Sequence, residues 1–131
     1  MPLKILIAED DYDDRFLTKE AFDSVDPSCN LDFVENGEDL LTYLNNQLPD
    51  LVVLDLNMPR KDGRTALFEI RADERLKALR IVVLTTSKTP DDIAYAERMN
   101  VERFFTKPSS FKELLEVVQQ LVKVVNTSTL N

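Results

Sequence analysis

Four polar clusters in this chain of 131 residues each follow directly on a short run that reads as a strand. Glu9, Asp10 and Asp11 follow Ile5–Ala8, and Asp55 follows Leu51–Leu54. Thr85, Thr86 and Ser87 follow Ile81–Leu84, and Lys107 and Pro108 follow Arg103–Thr106. Carboxylates held close together cannot all ionise without a counter-charge, so three acids brought to one place either keep protons or bind a hard cation. Magnesium suits such a set, because it takes a few carboxylates and completes its shell with waters and phosphate oxygens. Thr85 and Lys107 are of the types that hold phosphoryl oxygens, and a carboxylate can attack phosphorus to form an aspartyl phosphate. Asp55, on the middle run, is the expected nucleophile. Singly, each group has an ordinary explanation as a turn former, a helix cap or a solvated lysine. Their coincidence at four strand ends is what points to a site.

Composition narrows the chemistry. The chain has no histidine, so no Ser-His-Asp triad, Cys-His dyad, histidine-containing zinc site or phosphohistidine can be built from it. Any phosphohistidine belongs to a partner. Its two glycines, Gly37 and Gly63, cannot supply G-x-G-x-x-G or the P-loop spacing. The single cysteine, Cys29, allows no internal disulfide. Sixteen basic against twenty-four acidic side chains give a net charge of -8, which disfavours direct binding to nucleic acid and favours a cation or a basic partner. No apolar stretch approaches the ~20 residues of a membrane span and no signal-peptide pattern opens the sequence, so a cytoplasmic protein without a membrane partner is expected.

The elements that must position these groups alternate. Ile5–Ala8, Leu51–Leu54 and Ile81–Leu84 are too short for helices and apolar throughout, as in strands buried on both faces. Leu31–Val34 and Arg103–Thr106 are weaker strand candidates, and the intervening segments have helical spacing. Asn36 is placed to cap a helix over Gly37–Asn46. Pro90, with Asp91 and Asp92 behind it, marks another helix start. The last helix is predicted over about Ser110–Val125, with Phe111, Leu114, Leu115, Val118, Leu121, Val122 and Val125 on one stripe and Val117 and Val124 off it. Residues 126–131 read as a polar, frayed tail after a single domain at 1–125. The fold class is therefore α/β, a parallel five-stranded sheet covered on both faces with right-handed crossovers. Ligand sites in such sheets lie beyond the carboxyl ends of the strands. In a flavodoxin-like order 2-1-3-4-5, Asp55 would sit between Glu9 and Asp10 on one side and Thr85 on the other, with Lys107 reaching in from the edge.

Glu9-Asp10, the run Asp55-Leu-Asn-Met-Pro59 with Asp62-Gly63, Thr85, and Lys107-Pro108 together resemble the receiver domain of two-component response regulators, over about residues 3 to 125. The strand order rests on this resemblance. It implies that Asp55 accepts a phosphoryl group from a histidine of a sensor kinase or phosphotransfer protein. It further implies that Asp10 binds Mg2+ directly, Glu9 through water, and Asn57 through its backbone carbonyl. Lys107 and Thr85 would hold the phosphoryl oxygens, Phe104 would be the switch aromatic that turns inward as Thr85 moves, and the Lys107–Pro108 bond would be cis. Glu9 stands where Asp is commoner, and Phe104 replaces a frequent tyrosine, which removes a phenolic hydroxyl bond. No effector segment is expected after the last helix, so the output would be a protein contact. The stretches Asn57–Arg64 and Leu84–Ser87 are similar to regulators paired with bacterial phytochromes, which makes a phytochrome kinase an expected partner. Val117 and Val124 could form part of a homodimer face.

Asp55-Leu-Asn-Met-Pro also imitates the nucleophile loop of haloacid-dehalogenase-like phosphatases. That class needs a second acid two residues on, and the amide of Asn57 cannot donate a proton in that way. A flavin binder would lack both a glycine in its phosphate loop and a tryptophan to stack the ring. Calcium loops at Asp11-Tyr12-Asp13 or Asp55-Leu56-Asn57 lack the required glycine and glutamate.

Overall fold

A computed structural model of the chain describes residues 2–129. Strands β1 (Lys4–Ala8), β2 (Asn30–Val34), β3 (Leu51–Leu54), β4 (Ile81–Thr85) and β5 (Arg103–Thr106) alternate with helices α1 (Tyr12–Val25), α2 (Gly37–Asn46), α3 (Gly63–Ala72), α4 (Pro90–Arg98) and α5 (Phe111–Thr129). All strand pairs are parallel and the order is β2-β1-β3-β4-β5, the doubly wound order expected. No helix among the described residues is long and apolar enough to cross a membrane.

The central strands are apolar throughout because both sheet faces are covered, and their side chains alternate between two cores. Leu6, Ala8, Val52, Leu54, Ile81 and Val83 pack with Leu40, Leu44, Leu67 and Ile70 from α2 and α3. Ile5, Ile7, Leu51, Val53, Val82 and Leu84 pack with Phe22 of α1 and with Val118, Leu121 and Val125 of α5. The cap signals act as read: Asn36 accepts from Asp39 N, and Thr89 accepts from Asp92 N ahead of Pro90 at the first turn.

Two details of the last helix differ from expectation. Phe111 is exposed, because the first turn of α5 leaves its ring beside Leu17 of α1 at the rim of a groove. The helix also runs to Thr129, four residues past Val125, since no glycine or proline follows to stop it. Leu130 and Asn131 lie outside the described residues. Of the two off-stripe valines, both are half-buried, and Val117 packs against the α1/α5 core.

Both glycines stand where two backbones nearly touch. A Cβ on Gly37 would collide with the carbonyl of Lys61, and one on Gly63 would collide with the carbonyl of Asp55 and the Cα of Leu56. These close approaches fix the loop after β3 against the starts of α2 and α3.

Candidate metal and phosphoryl site

Ladder bonds continue one residue past the strand ends and line up the site. Glu9 N donates to Val34 O at 2.9 Å, Asp55 N to Ala8 O at 3.1 Å, and Lys107 N to Thr85 O at 2.7 Å. Strand alternation then decides the sides. Glu9, Asp55 and Lys107 continue the rows that face α1 and α5, whereas Thr85 continues the row that faces α3 and α4.

Asp55 is 4 % exposed, and each of its carboxylate oxygens has its own set of partners. Oδ1 accepts from the Thr85 hydroxyl at 2.8 Å and from the backbone N–H of Asn57 at 3.0 Å. Oδ2 accepts from Lys107 Nζ at 3.1 Å. Lys107 is shared. It also lies 2.6 Å from Glu9 Oε1 and 2.8 Å from Asp14 Oδ2. Glu9 is buried, and its Oε2 accepts from Asp11 N at 3.1 Å.

One ammonium among these acids shapes the electrostatics. Burial pushes the Glu9 carboxyl up to about 7, with the charge of Asp55 adding to the rise, while Lys107 and the Asp11 N–H oppose it. For Lys107, burial works against the charged form. Its hydrogen bonds to Asp14 and Glu9 and the charges of Asp55 and Glu9 outweigh that and raise it above the ordinary lysine value.

Glu9, Asp10 and Asp55 can each offer a carboxylate oxygen, all within 4.8 Å of one another. Ligands around Mg2+ at 2.0–2.1 Å are about 3 to 4 Å apart, so small side-chain rotations would close the set on an ion. Asp10 is exposed, on the open side where water would complete the shell. This donor set fits a hard divalent cation.

The structure therefore gathers Glu9, Asp10, Asp55, Asn57, Thr85 and Lys107 at one end of the sheet. Phe104 lies on β5 opposite Val83, two residues before Thr106 at this end, half-buried and packed against the α2/α3/α4 core. The Lys107–Pro108 bond is trans, since no peptide bond among the described residues is cis. Even before proline, the trans isomer is intrinsically favoured.

Sequence reasoning missed three residues. Asp14 enters because α1 begins at Tyr12 with Asp11 as its cap, which turns the first helical turn back over the strand ends. The available signal was Asp11 as a helix cap, which puts Asp14 in the first turn beside the strand ends. Arg64 and Asp92 form a bidentate pair, Nε to Oδ1 at 2.7 Å and Nη2 to Oδ2 at 2.6 Å, joining α3 to α4 next to the Asp55 loop. No local pattern marks a partnership across that distance in sequence.

Residues 5–119 match the family model described as the response regulator receiver domain. The "Probable methanogenesis regulatory protein FilR2" of Methanothrix harundinacea is 34% identical, with 92% of this chain and 81% of that protein covered. The response regulator Rcp1 of Synechocystis is also 34% identical, over 90% of this chain and 85% of that one. Among solved structures, the phosphorylated cyanobacterial phytochrome response regulator RcpA superposes with a TM-score of 0.88 at 32% identity, covering 98% of this chain and 96% of that one. On fold, acidic cluster and likeness together, the chain belongs to the response regulator receiver family of two-component signalling.

Proposed function

We propose that this chain is a phosphoacceptor that takes a phosphoryl group on Asp55 from a phosphohistidine of a sensor kinase or phosphotransfer protein and signals through a changed protein-binding surface. The receiver unit would be residues 1–125, within which the matched family region falls. The observation that carries this reading is the division of labour on Asp55, with Thr85 and Asn57 N–H on one oxygen and Lys107 on the other.

In the transfer, the phosphorus–nitrogen bond of the donor imidazole breaks as a bond forms between phosphorus and an Asp55 oxygen, and the electron pair stays on the imidazole. Asp10 and Asp55, with Glu9 through water and the Asn57 backbone carbonyl, would hold Mg2+, which would supply charge neutralisation for the phosphoryl oxygens. Lys107 and the Thr85 hydroxyl bind the remaining phosphoryl oxygens. A phosphoryl group carries more charge and more acceptor atoms than a carboxylate, so it draws Lys107 and Thr85 into a new arrangement. Phe104, two residues from Thr106 on the strand beside Thr85, repacks into the space Thr85 leaves. Moving such an equilibrium from mostly off to mostly on needs about 5 kcal/mol of differential contact, within reach of a few charge-assisted bonds.

The resemblance to RcpA supports a phytochrome-type kinase as donor, and phosphotransfer from such a kinase, compared with an unrelated histidine kinase, tests that choice. For the site itself, incubation with acetyl phosphate and magnesium followed by intact mass should show one added phosphoryl group, absent from Asp55→Asn. Equal labelling of that variant rejects Asp55 as the acceptor, and turnover of a soluble phosphomonoester would favour a phosphatase of the haloacid-dehalogenase type.

A further inference from the structure

The second residue of α3, Arg64, sits at the centre of a hydrogen-bonded chain that runs along the α3/α4 side of the acceptor. Its Nε and Nη2 grip the two oxygens of Asp92, which is only 9 % exposed. Nη1 donates to Asp62 Oδ1 at 3.0 Å and to Leu56 O at 3.3 Å, and Nη1 and Nη2 both lie 3.3 Å from Asn57 Oδ1. Asp92 in turn accepts the Ser87 hydroxyl. The Asn57 amide donates across the gap to Thr86 Oγ1 at 3.3 Å and approaches Thr85 Oγ1 at 3.5 Å. The side chains two residues past Asp55 and two residues past Thr85 are thus tied to one ion pair.

The guanidinium has five N–H groups, and the partners named above can occupy all of them. Arg64 is therefore not free to bind a phosphoryl oxygen directly. Its leverage is positional. The Arg64 guanidinium, aided by the Ser87 hydroxyl and opposed by burial, holds the Asp92 carboxyl well below the usual carboxylate range, so the pair stays ionised wherever the protein is folded.

Resting on the phosphoacceptor reading, we propose that Arg64 and Asp92 are positioning residues that fix the Asn57 and Ser87 side chains beside Asp55 and so limit the access of water to the phosphorylated acceptor. In the reaction restrained in this way, a water oxygen bonds to phosphorus in line and the phosphorus–oxygen bond to Asp55 breaks. The electron pair returns to the carboxylate, and the water's proton leaves with inorganic phosphate or passes to solvent. Arg64→Lys keeps the charge but loses the planar fork that reaches Asp92 and Asn57 together.

The test is the half-life of the phosphoryl group after acetyl phosphate is removed with magnesium retained, followed by intact mass. Arg64→Lys and Asp92→Asn should shorten it about fivefold, the scale of one lost hydrogen bond. Ser87→Ala, which leaves the ion pair intact, should shorten it in the same direction and serves where the pair variants fail to fold. In an Asn57→Ala/Ser87→Ala background, Arg64→Lys should lose most of its effect, because both side chains through which it acts are gone. Half-lives within about twofold of the parent in all three single variants overturn the proposal, as does an undiminished Arg64→Lys effect in the absence of both the Asn57 and Ser87 side chains. A parent chain that takes no label at all instead refutes the phosphoacceptor reading on which this rests.

Discussion

The ammonium of Lys107 lies nearer to Asp14, at 2.8 Å, than to Asp55, at 3.1 Å. Asp14 is half-buried at the mouth of the site and belongs to none of the strand ends, so it adds negative charge where an anionic phosphodonor must enter. Asp14→Asn should remove that repulsion and leave Lys107 divided between two acids. One charge about 5 Å away in a largely aqueous surround is worth about 1 kcal/mol, which corresponds to roughly fivefold faster labelling by acetyl phosphate. Initial labelling rates by intact mass check this, and a slower rate would mean that Asp14 holds Lys107 in its working position.

Gly63→Ala reverses a familiar sign. In an exposed helix this change stabilises by about 1 kcal/mol. Here the added Cβ meets the Asp55 carbonyl and the Leu56 Cα, both backbone, while the Gly63 N–H is bonded to Leu56 O at 3.0 Å. The acceptor loop must shift, at a cost of about 1–3 kcal/mol. The denaturant midpoint should fall and phosphoryl labelling should slow with it. A rise in the midpoint would contradict the close approach.

The contrast between Asp55 and Asp14 explains how much the sequence could tell. Asp55 follows four consecutive apolar residues, too few for a helix, and the ladder then carries it into line with Glu9 and Lys107. Strand ends are legible because hydropathy marks them and because parallel register aligns them. Asp14 depends on where α1 starts, a matter of one cap residue, and element boundaries are weakly written in sequence. The Arg64–Asp92 pair depends on how α3 and α4 sit side by side, which only packing decides. The exposure of Phe111 has the same origin, since the apolar stripe sets which face is buried but not where the sheet beneath it ends.

Cys29 offers a pH test away from the site. Burial pushes its thiol up to about 11, and the charge and hydrogen bond of Asp26 add to the rise. Asp26 itself is held below its ordinary value by the Ser28 hydroxyl and N–H, so it remains charged. Only the thiolate reacts, and a raised value means less of it at a given pH. At pH 8 the thiolate should be about a hundredfold scarcer than on an unperturbed cysteine, so iodoacetamide should alkylate Cys29 slowly and accelerate up to about pH 11. Asp26→Asn should raise the rate at pH 8. Free-cysteine kinetics in the folded parent would disprove this account.

Replacing Lys107 by alanine links the charge of the site to its metal. The change leaves Glu9 and Asp55, 5 % and 4 % exposed, facing each other and Asp14 with no cation among them. Breaking a buried pair from one side costs about 3–5 kcal/mol, and the half-buried Asp14 and the proton Glu9 can take place this site at the lower end, about 3 kcal/mol. Without magnesium the variant should therefore show a much lower denaturant midpoint than the parent. A divalent ion brings two positive charges to the same carboxylates, so added magnesium should recover most of that loss and raise the variant's midpoint more than the parent's. Labelling at Asp55 should persist at a reduced rate, because the ion can still neutralise the phosphoryl oxygens, while partner binding by the phosphorylated variant should weaken. A midpoint that does not respond to magnesium in either protein would remove Glu9, Asp10 and Asp55 from consideration as a metal site.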